Sequence, residues 1–267
     1  DGIYAVVGAR GADIPATNAG KAYICNVETG EEMHMLYPEN EDGSISTIDS
    51  GYFGESSAIS GNYAIVGSSY TGHNAATGRI GYAYIYDVVT GNKLHRLQSA
   101  DSYNRQFFGY SVAISGNYAI VGAYSYDTNT NPGSAYIFDV TTGTQLHKLV
   151  DSGSSNTDRY GWEVGIDGNY AIVGEYADDD DGTNTGDAYI YDVRDGSLIK
   201  ALKPSDPAVS NREFGKSVAI SGGTAIVGAP GQKGSYPPFR SNIGCAYIFS
   251  SDSLLKIKND NQNLMVN

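Results

Sequence analysis

The chain has 267 residues, with 30 acidic and 17 basic side chains and a net charge of −13. That charge argues against nucleic acid and against anionic membrane surfaces as partners, because both attract basic patches. No run of about 20 apolar residues could span a membrane, and two cysteines are too few for a disulfide framework. The start at Asp1, without a signal peptide, is interpreted as a mature or trimmed end.

A repeat of about 54 residues organises the sequence. Near-copies of one segment begin at Phe53, Phe108, Tyr160 and Phe214, at spacings of 55, 52 and 54 residues. A Val-Val-Gly or Ile-Val-Gly triplet marks every unit and begins at Val6, Ile65, Ile120, Ile172 and Ile226. The repeat predicts a single domain over 1–267, with units of about 1–52, 53–107, 108–159, 160–213 and 214–267.

Each unit reads as four short strands rich in Val, Ile and Tyr. In the third unit the predicted strands cover 111–115, 118–122, 135–140 and 145–150. Tight Gly-containing turns join strands one and two and strands three and four, whereas the other links are long and variable. A four-stranded meander repeated five times predicts an all-β, five-bladed β-propeller with four antiparallel strands per blade.

The start of the repeat carries a recurring Phe-Gly pair, and its second strand ends in a Gly-Ala-Pro triplet or a degraded form of it. The pairs are Phe53-Gly54, Phe108-Gly109, Phe214-Gly215 and the variant Tyr160-Gly161, and the triplet is intact at Gly228-Ala229-Pro230. This pattern resembles the FG-GAP repeat family, and most closely its bacterial subtype with short Ser-Gly-Asn turns. The resemblance implies a propeller of the integrin-α type, a secreted or cell-surface setting and a role in adhesion. Family propellers usually have seven blades, and their calcium loop is replaced here by a short turn, so calcium is not carried over to that link.

The two ends of the chain suggest a way to close the ring. The first unit lacks a Phe-Gly strand, whereas an apolar tail, Asn-Leu-Met-Val-Asn, follows the predicted last strand at 254–258. We expect residues 264–266 to supply the innermost strand of blade one, which would remove an open sheet edge. The alternatives are a frayed tail and donation of this strand to a neighbouring molecule in a filament.

All long links emerge on one face of the predicted propeller, and loops on a rigid scaffold are where binding usually takes place. Aromatic and arginine side chains on these loops suit glycan stacking or protein contact. The candidate ligand-binding residues are Tyr70, Tyr124, Tyr126, Tyr176, Tyr236, Phe239 and Arg240. The alternative is that these loops have drifted and their aromatic side chains are ordinary anchors.

Two of the long loops carry alternating oxygen-bearing side chains, a pattern that suits a hard cation such as calcium. The candidate ligands are Asp179, Asp181 and Asp187 in the fourth unit and Asp127, Asn129 and Asn131 in the third. A solvated acidic loop without a metal is the other reading.

No catalytic motif accompanies these loops. His34, His95 and His147 recur at one position of successive fourth strands, which would hold them apart around the rim. We therefore expect a non-enzymatic extracellular binding or adhesion module with a glycan or protein partner on the long-loop face. The alternatives are a self-assembling surface or filament component and, after it, a polysaccharide lyase or glycoside hydrolase, because propellers host all three.

Overall fold

The structure, a computed structural model, describes residues 1–13, 17–40, 42–45, 51–70, 80–101, 106–125, 132–153, 155, 157–205, 210–232 and 244–250, together with the strand Leu264–Met265. This part of the chain is all-β and contains no helix. It forms five separate antiparallel sheets of three or four strands, which is consistent with the predicted propeller.

The strands follow each other in chain order within every sheet. Sheet one contains β1 (Tyr4–Ala9), β2 (Lys21–Asn26) and β3 (Glu32–Leu36), and sheet two contains β4 (Ser57–Ser60), β5 (Tyr63–Ser68), β6 (Tyr82–Asp87) and β7 (Lys93–Leu97). Sheet three contains β8 (Gln106–Ser115), β9 (Tyr118–Ser125), β10 (Ser134–Asp139) and β11 (Gln145–Leu149). Sheet four contains β12 (Glu163–Asp167), β13 (Tyr170–Glu175), β14 (Asp187–Asp192) and β15 (Leu198–Leu202), and sheet five contains β16 (Ser217–Ser221), β17 (Thr224–Ala229), β18 (Cys245–Phe249) and β19 (Leu264–Met265).

The four strands predicted for the third unit are confirmed. The main difference is that β8 and β9 extend further toward the long-loop face than the pattern predicted. These extra residues pair with one another as well, since Phe107 lies opposite Tyr124 in the register of the two strands. Sheet three therefore carries its ladder out to the base of the long loops.

Successive sheets pack face to face through apolar side chains. Ile65, Ile85 and Leu97 of sheet two form one cluster with Phe108, Val121 and Tyr136 of sheet three, and all six are almost completely buried. The same repeat positions build the clusters between sheets three and four and between sheets four and five. Burial of this apolar surface is the main stabilising contribution to each interface.

The two glycines of the repeat let neighbouring backbones touch. A Cβ atom added to Gly67 would collide with the carbonyl oxygen of Gly109, and one added to Gly174 would collide with that of Gly215. Gly109 and Gly215 themselves have φ of 89° and 88°, a region that favours glycine. The Phe-Gly and Val-Gly pairs thus meet across each interface, which explains why the repeat carries them.

Hydrogen bonds also join neighbouring sheets on the tight-turn face. The Gly168 amide donates to Ser115 Oγ over 3.1 Å, and equivalent bonds run from Gly116 to Ser60 and from Gly222 to Asp167. The strand-four histidines add a second set, in which His34, His95 and His147 each bond through Nε2 to a turn carbonyl of the next sheet at 2.8–3.2 Å. The histidines lie on three different sheets, as the repeat predicted.

The predicted position of the C-terminal strand is wrong. Leu264–Met265 pairs with β18, where Met265 lies opposite Tyr247 and Leu264 opposite Ile248. It therefore takes the fourth-strand position of sheet five and does not complete sheet one, which has three strands. The reason is the free edge of β18, which follows β17 directly in the same sheet and accepts the tail as the next antiparallel neighbour. Residues 254–258, predicted to fill that position, lie outside the described residues.

The outward faces of sheets one and five are not buried against each other in the described structure. Val7 and Val27 of sheet one are 51% and 55% exposed, whereas their equivalents in sheet three, Val121 and Val140, are fully buried. Ile226 of sheet five is 42% exposed, although the same position is fully buried in sheets two to four. The five sheets thus form a series with two open apolar ends.

Candidate functional site

The long-loop face of sheets two to four carries a connected set of aromatic rings. First strands begin, and second strands end, on this face, so residues just after each Phe-Gly pair meet residues just after each Val-Gly pair. We call this set the aromatic array; it contains Tyr52, Tyr70, Phe107, Tyr110, Tyr124, Trp162 and Tyr176. Three of the predicted ligand-binding residues, Tyr70, Tyr124 and Tyr176, belong to it.

The rings of the aromatic array contact each other at centroid distances of 4.6–5.1 Å. Phe107 and Tyr124 are stacked with an interplanar angle of 8°, whereas Tyr110 meets Tyr124 edge to face at 74°. Such contacts hold ring orientation as well as burying apolar area. Tyr124 and Tyr176 are 3% and 6% exposed, so they anchor the array, and the partly exposed Tyr52, Tyr70, Tyr110 and Trp162 present its surface.

Two basic side chains border this surface at the sheet-four end. The Arg159 guanidinium lies 5.3 Å from the Tyr176 ring centroid and donates a hydrogen bond to the Tyr176 hydroxyl. Lys216 Nζ lies 4.6 Å from the centroid of the same ring. Both geometries fit a cation–π contact. Arg159 lies just before the first strand of sheet four. Its φ is 61°, which is uncommon for a residue other than glycine.

A polar pocket opens beside the aromatic array, among the first strands of sheets two, three and four. We call it the first-strand pocket; its volume is about 360 Å³ and it is lined by Arg10, Glu55, Ser56, Ser57, Tyr110, Ser111, Val112 and Glu163. All except Arg10 lie within three residues of a Phe-Gly or Tyr-Gly pair. The pocket was not anticipated from the sequence, which suggested no convergence of polar groups there.

The two carboxyl groups of the first-strand pocket are in different electrostatic states. Arg10 Nη1 lies 3.0 Å from Glu55 Oε1, and Ser69 Oγ donates a hydrogen bond to Glu55 Oε2, so each oxygen of this carboxyl group has a partner. Burial raises the pKa of Glu163 to about 7, and the hydrogen bond with Ser111 opposes that shift. The pocket therefore contains one carboxyl group that is paired with an arginine and one, Glu163, whose pKa burial raises.

The acidic loop between β13 and β14 places a different set of carboxylates together from the set predicted. Asp158, Glu175 and Asp178 are 2%, 0% and 1% exposed, and one oxygen of each lies within 4.8 Å of the others. This is the single group of this kind in the part of the chain that the structure describes. Burial raises the pKa of Asp158 and brings that of Asp178 to about 6.

The predicted ligands of this loop face other partners. Lys203 Nζ lies 2.7 Å from Asp181 and 3.2 Å from Asp187, so one ammonium group bridges the two carboxylates. Asp179 accepts a hydrogen bond from the Asn184 amide at 2.5 Å. Burial, followed by the charge of Asp178, raises the pKa of Asp187 to about 7, although Lys203 works in the opposite direction. A second, 240 Å³ pocket is lined by Asp181, Asp187 and Lys203 among others.

Seven of the predicted site residues lie outside the described residues. They are Tyr126, Tyr236, Phe239, Arg240, Asp127, Asn129 and Asn131.

The residues that sequence reasoning missed do carry a signal. The position after the Phe-Gly or Tyr-Gly pair is Glu55, Tyr110, Trp162 and Lys216 in successive repeats, a large polar or aromatic side chain next to the small side chains of the first strand. Variation at the position next to this recurring structural pair would have indicated a surface where the first strands converge.

The fold is that of a tandem-repeat, all-β protein with five antiparallel sheets, which is consistent with the propeller class. A model of the FG-GAP repeat matches residues 92–138, 144–191 and 198–249, which is more than half of the chain, so the chain belongs to the FG-GAP repeat family. Each match begins near the fourth strand of one sheet and ends at the third strand of the next. No curated protein sequence matches the chain.

FG-GAP repeats are typical of extracellular and surface binding modules. The described residues include no helix with the length and hydropathy to cross a membrane.

Proposed function

We propose that the chain is a non-enzymatic, extracellular binding or adhesion module that holds a glycan or protein partner on its long-loop face. The observation that carries this proposal is the aromatic array, which spans sheets two to four and is locked by ring contacts of 4.6–5.1 Å. Rigid aromatic side chains supply contact area at a low cost in conformational entropy, which is why they dominate binding surfaces. The array borders an open polar pocket, so apolar and hydrogen-bonding contacts are available together.

The test is binding of the purified chain to an immobilised glycan panel and to extracellular-matrix proteins. Trp162→Ala removes the ring that joins Tyr110 and Tyr176, and we expect it to weaken binding at least tenfold. Leu146→Ala is the matched control, because Leu146 is also exposed, at 40%, but lies on the fourth strand of sheet three. Equal losses in the two variants, or no binding by the parent chain, would contradict the proposal.

Self-assembly is the second candidate, and the open ends of the sheet series favour it. Val7 and Val27 on sheet one and Ile226 on sheet five expose apolar surface that the equivalent residues of the inner sheets bury. Exposed apolar faces of this kind mark interaction surfaces. Light scattering over a range of concentrations would show a rising mass that Ile226→Glu abolishes and Leu146→Glu does not; a constant monomer mass in the parent chain would eliminate this candidate.

We also propose that calcium binds to the acidic loop of sheet four. The support is the convergence of Asp158, Glu175 and Asp178, whose negative charges lie in a buried setting that a divalent cation would neutralise. Calorimetry with calcium should show saturable binding to the chelator-treated chain that Asp178→Asn removes. Absence of heat in the parent chain would leave the loop as a proton-sharing acidic cluster.

A further inference from the structure

The first-strand pocket is built from equivalent positions of successive repeats. Glu55 and Tyr110 directly follow the Phe-Gly glycine in sheets two and three, and Ser56, Ser111 and Glu163 occupy the next position in sheets two, three and four. The glycines just before these sites, Gly54, Gly109 and Gly161, each lie so close to a backbone carbonyl of the preceding sheet that a Cβ atom would collide with it, which fixes the backbone there. Three sheets therefore contribute side chains from equivalent repeat positions to one open space.

The lining of this pocket is suited to hydroxyl groups. The Arg10 side chain is 66% exposed while one of its nitrogens is held by Glu55, so its guanidinium has donor capacity facing the opening. Ser111 Oγ accepts the Val164 amide at 3.1 Å and Ser56 Oγ donates to the Gly109 carbonyl at 2.8 Å, which orients both hydroxyls. Glu163 both donates and accepts when protonated and only accepts when ionised.

One wall of the pocket is an aromatic ring whose orientation is fixed. Tyr110 lies 4.6 Å from the Tyr124 ring and 4.7 Å from the Trp162 ring, so its face does not need to be ordered on binding. A ring face beside a set of polar groups matches a pyranose, which has an apolar C–H face and a rim of hydroxyls.

The same lining disfavours other ligands. Val112 is the single aliphatic side chain among the lining residues, so an apolar ligand would bury polar groups without partners. Glu55, Glu163 and the net charge of −13 oppose an acidic ligand, and the guanidinium of Arg10 opposes a metal ion. A volume of about 360 Å³ is at the lower end of small-molecule sites, which run from about 300 to 1,000 Å³.

We propose that the first-strand pocket binds one or two rings of a neutral saccharide, with Tyr110 stacked on the sugar and Arg10 and Glu163 bonded to its hydroxyls. This inference rests on the proposed function, because it names the ligand class of the same long-loop face. Glu55 acts as a positioning residue, since it holds Arg10 in place.

The chain contains an intrinsic fluorescent probe for sugar binding in this pocket. Its sole tryptophan, Trp162, contacts the Tyr110 ring, so a sugar stacked on Tyr110 changes the tryptophan environment. The experiment screens the parent chain on a panel of neutral and uronic-acid oligosaccharides, and then titrates the strongest neutral hit by tryptophan fluorescence and calorimetry. We expect Arg10→Gln and Glu163→Gln each to weaken that binding at least tenfold.

Ser217→Ala is the matched control, because Ser217 occupies the Ser111 and Glu163 position in sheet five, outside the pocket lining. We expect it to bind within twofold of the parent chain, and thermal melts of all variants verify folding. If a partner binds but the Arg10 and Glu163 variants bind as the parent does, the pocket assignment is overturned while the proposed function stands. A preference for acidic oligosaccharides, or no binding to any oligosaccharide, would also overturn the pocket assignment. The proposed function would be removed as well if the chain also bound none of the proteins in the test described above.

Discussion

The inner sheets and the terminal sheets are built from the same residues but differ in how well those residues are covered. Ile120 and Ile172 are fully buried, whereas Ile226 at the same repeat position is 42% exposed. Val121 is fully buried, whereas its equivalent Val7 is 51% exposed. The repeat thus encodes the surface of an interface, but burial, and the stability that follows from it, requires a neighbouring sheet.

Substitution of the interface glycines should give the largest difference in stability between an inner sheet and a terminal sheet. In Gly174→Ala the new methyl group meets the backbone carbonyl of Gly215, so the two sheets must separate, and we expect a loss of at least about 3 kcal/mol or failure to fold. In Gly228→Ala the methyl group meets only the Ser217 side chain and backbone, and the nearest atom, Oγ, can rotate away. That variant should lose no more than about 1 kcal/mol by urea denaturation. Comparable losses would mean that sheet five is covered in solution.

The interface isoleucines should give the next largest contrast. We expect Ile120→Ala to lower the free energy of unfolding by about 2–5 kcal/mol, because it leaves a cavity between sheets three and four. Ile226→Ala removes a side chain that is partly in water already and should cost less than about 1 kcal/mol. A large loss at Ile226 would contradict the open face and favour ring closure.

A smaller effect on stability should come from two carboxyl groups of sheet four, Asp178 in the loop after β13 and Asp187 at the start of β14. Burial raises the pKa of Asp178 to about 6 and of Asp187 to about 7, above their unfolded values near 4. The folded state then binds more protons than the unfolded state between about pH 4 and pH 7, so stability falls as pH rises through that window. We expect a higher melting temperature at pH 5.5 than at pH 8 in the absence of calcium.

Asp187→Asn tests the origin of that slope. The amide cannot ionise, so this variant should show a flatter melting profile between pH 5.5 and pH 8 than the parent chain. Asp192→Asn is the control, because hydrogen bonds from the Arg194 side chain and backbone lower the pKa of Asp192, so this carboxylate stays ionised throughout the range. A profile in which both variants match the parent would assign the slope to other groups.

The smallest contrast concerns the hydrogen bonds of the tight-turn face. Ser115→Ala removes the acceptor of the Gly168 amide and should cost about 1 kcal/mol. Ser221 has the same repeat position in sheet five, and no sixth sheet follows it among the described residues. Ser221→Ala should therefore change stability by about 0.5 kcal/mol or less, as judged by the same urea denaturation.

The local sequence pattern predicted the features that are decided within one repeat. It did not predict the sites that are assembled from several repeats. The strands, the turn positions and the two interface glycines follow from alternation, Gly placement and the FG-GAP pattern, since each is decided within about 54 residues. The first-strand pocket needs Arg10, Glu55, Tyr110 and Glu163 from four sheets, and no local pattern specifies that convergence. The buried acidic group likewise joins Asp158, from the link before sheet four, to Glu175 at the end of β13 and to Asp178 in the loop that follows.

The pairing of the C-terminal strand, Leu264–Met265, is a second feature that the local sequence did not predict. Its apolar, β-prone sequence predicted a strand correctly, but a two-residue strand can pair with any free edge, and composition does not choose between the edges of sheets one and five. The choice depends on which edge lies within reach of the chain, which is a property of the assembled sheets.

Hydrogen–deuterium exchange tests the central contrast most directly, because it reports the opening of each strand separately. We expect the amides of β9 and β13, which lie in fully covered sheets, to exchange more slowly than those of β1 and β17 by at least tenfold. That result would place the aromatic array and the first-strand pocket mainly on the most rigid part of the molecule. Equal protection of β1, β9, β13 and β17 would contradict the account, because it would mean that the terminal faces are covered as well as the inner ones.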